Sequence, residues 1–166
     1  YCLSACAAAA IYRKAMIDQI GWFDPLFSPA YHEDFDIGLR AFDMGWKCLY
    51  IPDAIVRHKG GGTSKQRPGY LLFLSNLNCE KLLLRHFPLG LYLKFLPLRI
   101  LRIIREMILG GPNHFFWLGC VLLVIPIHGL HIRLILNKKK AVHANLTKSL
   151  TKYFTRTLER NFQKDG

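Results

Sequence analysis

An α/β or α+β layer of short elements, followed by a mostly α-helical tail, is the fold class that the sequence predicts. Two observations carry it. Residues 1–64 alternate short apolar runs with a strongly signalled amphipathic helix, an order of strand, helix and strand that builds a layered unit. Beyond a glycine run, long leucine- and isoleucine-rich stretches are interrupted mainly by prolines.

In the first unit, residues 7–12 read as a short buried strand and residues 13–20 as a short helix stopped by Gly21. Residues 33–44 carry the clearest helical signal. Phe35, Leu39 and Phe42 recur at helical spacing, Asp36 and Arg40 stand one turn apart as a surface pair, and the first turn is acidic. Gly45 follows where a helix ends on glycine. Residues 46–51 and 54–58 read as two short strands divided by the Pro52-Asp53 turn. The run Gly60-Gly61-Gly62-Thr63-Ser64 reads as a mobile loop, because glycine loses the most backbone entropy on ordering. That run divides the chain into residues 1–64 and a tail, 65–166, where helices are expected over 68–87, 91–109, 115–136 and 141–162. Pro88, Pro97, Pro112 and Pro126 break or kink them.

The 166 residues carry 23 Lys and Arg against 11 Asp and Glu, a net charge of +12, yet 51% are hydrophobic, which excludes a disordered basic tail. Residues 1–64 hold six basic and seven acidic side chains, a net −1, so the remaining 17 basic and four acidic residues carry +13. Two physical jobs therefore share one chain: a near-neutral folded part, and a basic, apolar part suited to an anionic surface. Arg99, Arg102 and Arg105 recur among Leu and Ile residues, the pattern of a helix lying in a membrane interface. Residues 115–127 form an uncharged run of 13, short of the roughly 20 that a spanning helix needs. Basic clusters flank that run on both sides, so in-plane or re-entrant attachment is expected over a span, with a buried core helix as the competing reading. Nucleic acid is not the expected partner, since the basic residues sit among aliphatic side chains instead of stacking aromatics. The five cysteines form no C-x-x-C pair or zinc-spaced ladder, which fits a reduced, cytosolic compartment and mostly buried thiols. With Tyr1 first and no charged segment before residues 7–10, no signal peptide is read, and the chain is expected to be a segment of a longer protein.

One constellation carries chemistry: His32-Glu33-Asp34-Phe35-Asp36-Ile37-Gly38-Leu39-Arg40, with His58 24 residues after Asp34. Together with Ser4-Ala5-Cys6, Gly21-Trp22-Phe23-Asp24, Gly45-Trp46, Tyr50-x-Pro52-Asp53-Ala54 and His58-x-Gly60-Gly61, it resembles the carboxyl half of a family-2 glycosyltransferase of the rhamnosyltransferase-like branch. The resemblance covers about residues 3–64. The tail resembles the helical, membrane-hugging end of such enzymes, through its composition and through Asn76-x-Asn78-x-x-Lys81 and Phe87-Pro88.

The resemblance implies a partial nucleotide-diphospho-sugar transferase fold (GT-A-like, α/β), its acceptor-side half in residues 1–64. The implied reaction is inverting transfer of a sugar from a nucleotide-diphosphate donor to an acceptor hydroxyl on a glycan or lipid-linked carrier. Its implied location is the cytoplasmic face of the inner membrane. A sugar hydroxyl is a poor nucleophile, so a carboxylate must take its proton. Asp34 is the expected base, and Glu33 beside it orients the acceptor or strengthens that base by like-charge repulsion. The resemblance further implies a divalent metal, manganese or magnesium, held by His58 and by an acidic motif that this chain lacks, so that these residues alone are expected to be inactive. Gly60, Gly61, Gly62, Thr63 and Ser64 would then form a lid over donor phosphate. Trp22 offers a face for a sugar ring or serves as packing. Taken alone, Glu33-Asp34 is an ordinary acidic helix start and His58 an ordinary strand-end histidine; the matched blocks around them argue otherwise. The remaining histidines, His32 and His86 among them, are expected at surfaces or interfaces. The competing function is a non-catalytic membrane-binding module.

Overall fold

The structure is a computed structural model that describes residues 1–58, 68–110, 112, 115, 116 and 118–122. It corrects the expected fold class. The described residues are 66% helical and contain no strand, so the chain is not an α/β, GT-A-like fold. Among the described residues the named helices are α1 (Lys14–Ile20), α2 (Glu33–Asp43), α3 (Pro68–His86) and α4 (Leu89–Leu109), with short 3-10 turns at Ala7–Ala9 and Pro25–Phe27.

The three expected strands fail for one physical reason. Strand propensity records how well a side chain fits a pleated, half-buried surface, and an extended segment needs a paired neighbour to form one. Ala7–Ala9 turns as an exposed 3-10 segment. Residues 46–58 run extended around the expected Pro52-Asp53 turn, but Leu49, Tyr50, Ile51, Ile55 and Val56 are exposed. The one isolated bridge among the described residues joins Cys2 to Cys48 in antiparallel sense.

The helices lie close to their expected places. Helix α2 ends on a Schellman motif: Trp46 N–H donates to Ala41 O at 2.9 Å, Gly45 N–H donates to Phe42 O at 3.0 Å, and Gly45 takes φ +83°, a conformation that glycine adopts without a Cβ clash. Its buried residues, Asp36, Ile37, Leu39 and Ala41, face two ways. Ile37 and Ala41 pack on Met16 and Ile17 of α1, while Leu39 joins Phe27, Leu82, Leu83, Leu84, Phe87 and Tyr92 in a second cluster with α3 and the start of α4. Phe42, expected on the buried face, is exposed. Gly38 lets the chain at Leu3 and Ser4 press onto α2, for a Cβ there would stand 2.6 Å from Ser4 Cβ and 2.9 Å from Leu3 O.

Helix α3 grips the first part through polar side chains set in an apolar helix. Fully buried Asn78 donates its amide protons toward Phe27 O (2.9 Å), Ala30 O (2.8 Å) and Tyr31 O (3.1 Å). Lys81 Nζ donates to Leu26 O at 3.0 Å and to Asn78 Oδ1 at 2.9 Å, and Arg85 Nη1 pairs with Asp24 at 2.7 Å. Helix α4 turns back at Pro88 and docks by a buried ion pair: Arg99 Nε and Nη2 reach Glu80 Oε1 at 2.7 and 2.5 Å, and Tyr92 Oη donates to Glu80 Oε2 at 3.1 Å. Pro97 stays inside α4 on its exposed side, where Leu93, whose carbonyl loses its helical donor, is also exposed. The third cluster joins Ile103 to Leu118 and Val121. Residues 115, 116 and 118–122 are helical; the rest of the helices expected over 115–136 and 141–162 lies outside the described residues, as does the glycine run at 60–64.

Candidate functional site

The chain enters α2 against its own preferences. Tyr31 and His32, neither of them glycine, take φ +74° and +70°, and His32 gives the helix no side-chain cap. Such a conformation persists only where surroundings over-determine it. Here Asn78 holds the carbonyls of Ala30 and Tyr31 from one side. From the other side, Ser4 Oγ donates to Asp34 O at 2.6 Å.

Three acids occupy the first turn of α2, and the fold treats each differently. Asp36 is fully buried among cations: Arg40 Nε lies 2.8 Å from Oδ2, while His86 Nε2 at 2.8 Å and Arg85 Nε at 3.4 Å face Oδ1. Burial alone would raise this carboxyl, but the His86 hydrogen bond and the charges of Arg85, His86 and Arg40 outweigh it and hold the group below the usual aspartate range. The expected surface pair of Asp36 with Arg40 is therefore a correction in position: the pair exists and it is interior. Arg40 also donates to the carbonyls of Ile20 (2.5 Å) and Trp22 (2.7 Å), closing the end of α1. His86, expected at a surface or an interface, is buried where α3 meets Asp36 of α2.

Asp34, by contrast, is half-buried and its carboxylate is engaged only by the Ala7 N–H, at 3.3 Å from Oδ2. Among the described residues no cation pairs with it. Glu33 Oε2 and the Tyr12 hydroxyl are both buried with no hydrogen-bond partner among the described residues. Burial, aided by the nearby acidic groups Asp34, Cys48, Cys6 and Glu33, pushes the Tyr12 phenol up, so it stays a protonated donor beside them. Burial also lowers His32, which favours the neutral imidazole at the helix entry. The arrangement unites a proton-accepting carboxylate, a second acid and a phenolic donor at one helix start.

The other expected site residues are not brought to it by any described contact. Trp22 is 64% exposed, positioned through its backbone by Arg40 and tilted against Phe23 at 6.2 Å between ring centroids. His58 is exposed, and no group of three or more His, Cys, Asp or Glu side chains among the described residues converges as a metal site. Gly60, Gly61, Gly62, Thr63 and Ser64 lie outside the described residues. Sequence reasoning passed over Tyr12, Ser4 and the role of Asn78. The signal for Asn78 was present as a polar residue in the leucine-rich stretch 71–84, where burial demands a partner.

The thiols also differ from expectation, for Cys2 and Cys6 are exposed and Cys48, Cys79 and Cys120 only partly covered. Arg99, expected on a lipid-facing basic side, is instead the interior partner of Glu80. Arg102 is exposed and pairs with Glu106 at 3.1 Å. The exposed side of α4 nevertheless carries Leu93, Leu98, Leu101, Ile104, Ile108 and Leu109, interleaved with Lys94, Arg102 and Arg105. No helix among the described residues is long and apolar enough to cross a membrane. Comparison with protein-family models, with curated proteins and with solved structures finds no match for this chain.

Proposed function

We propose that the chain supplies the acceptor-activating carboxylate of an inverting glycosyltransferase working at an anionic membrane surface. One observation supports it above the rest. Of three acids at the start of α2, Asp36 is held by two arginines and by His86, while Asp34 keeps lone pairs free of any described cation and remains open to solvent. A carboxylate so held takes the proton of an approaching hydroxyl as the hydroxyl oxygen attacks the anomeric carbon. Glu33 stands beside Asp34, and the Tyr12 phenol, pushed up by burial, stays protonated near the pair. The nucleotide-sugar donor, the divalent cation and the lid enter this reading from the sequence resemblance alone.

The membrane part of the reading is supported by α4. Its exposed aliphatic side chains, with Lys94, Arg102 and Arg105 between them, form the amphipathic pattern of a helix lying in the plane of lipid headgroups, which is where an enzyme using a lipid-linked acceptor on the cytoplasmic face would sit. The same face favours the second reading, a non-catalytic membrane-binding module, because it requires nothing of Asp34.

One experiment separates them. The full-length product of the gene, with anionic vesicles present, is assayed for transfer from a panel of nucleotide sugars, and wild type is compared with Asp34→Asn. Loss of a general base lowers kcat by about 10²- to 10⁴-fold. Near-normal transfer by Asp34→Asn overturns the base assignment, whereas vesicle binding without transfer from any donor favours the module.

A further inference from the structure

We infer that Cys2 and Cys48 form a reversible thiol–disulfide pair that low-molecular-weight disulfides oxidise, stapling the chain entry to the segment after α2. The two residues face each other across the isolated antiparallel bridge, where Cys2 N–H donates to Cys48 O at 3.0 Å and Cys2 Sγ lies 3.2 Å from Cys48 Sγ. Opposed residues of an antiparallel pair have Cα atoms about 5.5 Å apart when hydrogen-bonded, inside the range that a disulfide spans. Just before each cysteine in the sequence, Lys47 Nζ sits 5.3 Å from the centroid of the Tyr1 ring, a diagonal cation–π contact beside the bridge. Sulfur contact, backbone pairing and ring contact thus align the two thiols before any oxidant arrives.

The chemistry assigns the order of events. Cys2 is exposed, while burial and the hydrogen bond from Cys2 push the Cys48 thiol up to about 11. Cys2, the more exposed of the two, therefore meets the oxidant first, and its thiolate attacks one sulfur of an oxidised glutathione-type disulfide. The external S–S bond breaks, a Cys2–glutathione mixed disulfide forms, and one glutathione thiolate leaves and takes up a proton. Capping Cys2 removes its contribution to the Cys48 thiol, which then deprotonates and attacks Cys2 Sγ, expelling the second glutathione. Two protein thiols are oxidised and one external disulfide is reduced to two thiols. The new bond ties residue 48 to the segment whose Leu3 and Ser4 press on Gly38 and whose Ser4 Oγ holds Asp34 O, so oxidation stiffens the support of the α2 start.

The pair behaves this way whatever chemistry Asp34 performs. The test treats the reduced chain with excess oxidised glutathione, quenches with an alkylating agent, and follows released glutathione, intact mass and the linked peptides. For each Cys2–Cys48 link formed, the expected result is release of two glutathione molecules and loss of two hydrogens at that pair, with a peptide linking Cys2 to Cys48 and an upward shift in Tm. Cys48→Ser should stop at one glutathione attached to Cys2, and Cys6→Ser should react as wild type does. A wild-type product that stops at the mixed disulfide, or a link from Cys2 to Cys6, overturns the proposal.

Discussion

Replacing Asn78 by Ala tests whether the tail helix holds the candidate site together. The side chain is fully buried and offers two amide protons to three carbonyls at 2.8–3.1 Å, those of Phe27, Ala30 and Tyr31. Two protons make two full hydrogen bonds, each contributing about 1–1.5 kcal/mol net, and the stranded carbonyls add part of their own desolvation cost. Lys81 loses one of its two acceptors as well. The sum is a destabilisation of about 3 kcal/mol, a large share of the roughly 5–15 kcal/mol that holds a domain. Urea unfolding followed by far-ultraviolet circular dichroism measures it as a lower midpoint at unchanged slope. Asn78→Asp sharpens the test, because it turns the donor into an oxygen aimed at three oxygens and should destabilise more than Ala despite Lys81 nearby. Asn76→Ala is the control, since Asn76 bonds only Leu72 O within its own helix and should cost less than about 1 kcal/mol. Asn78→Asp more stable than Asn78→Ala, or equal costs at 76 and 78, would refute the geometry.

Three further outcomes follow from the same packing. Gly38→Ala, which in an exposed helix would stabilise by about 1 kcal/mol, should here destabilise by about 1–3 kcal/mol, because its Cβ meets Ser4 and the Leu3 carbonyl within 3.0 Å; a raised urea midpoint would contradict this. Glu80→Leu should cost about 3 kcal/mol by stranding Arg99 in the interior, and the double change Glu80→Leu/Arg99→Met should recover most of it in the same urea titration. Stability should also fall on acidification in two stages, read as Tm against pH. His32 binds its proton less readily when folded, so its contribution is complete above about pH 6.5 and declines below it; Asp36 likewise contributes fully above about pH 3.9 and loses that contribution as pH falls through its lower folded value. His32→Gln should remove the first stage and leave the second.

How far the sequence disclosed this structure depends on the range of the forces involved. Helix α2 was legible almost to the residue, since its acidic first turn and Gly45 are local signals that the backbone obeys locally. The turn at Pro52-Asp53 was legible on the same grounds. The strands were not, because residues 46–58 are β-prone by composition yet pairing is a property of two segments, and only Cys2 meets Cys48. The pairing of Asp36 with Arg40 could be read four residues apart, but its burial could not, for the cations that complete it, Arg85 and His86, lie some fifty residues on. Arg99 misled for the same reason: its spacing matched a basic face, while its partner Glu80 sits on another helix. Within the candidate site, Glu33 and Asp34 stand out in the sequence by motif and Tyr12 does not, since an isolated tyrosine in an apolar run announces nothing until the fold buries its hydroxyl near the charges of Asp34 and Glu33.

The two ends of α2 point to where function belongs. The carboxyl end is built as local rules recommend, with a glycine at positive φ and both Schellman hydrogen bonds made. At the amino end, by contrast, two non-glycine residues hold positive φ and, among the described residues, no side chain caps the helix and a buried acid oxygen and a buried hydroxyl find no partner. Each such departure costs on the order of 1–3 kcal/mol. The fold absorbs them by fixing that end from three directions, through Asn78, through Ser4, and through the cations around Asp36. Sequences keep local conflicts where geometry serves something other than stability. That concentration of local conflict makes Asp34, the acid there that stays open to solvent, the first position at which to test the proton-accepting role proposed above.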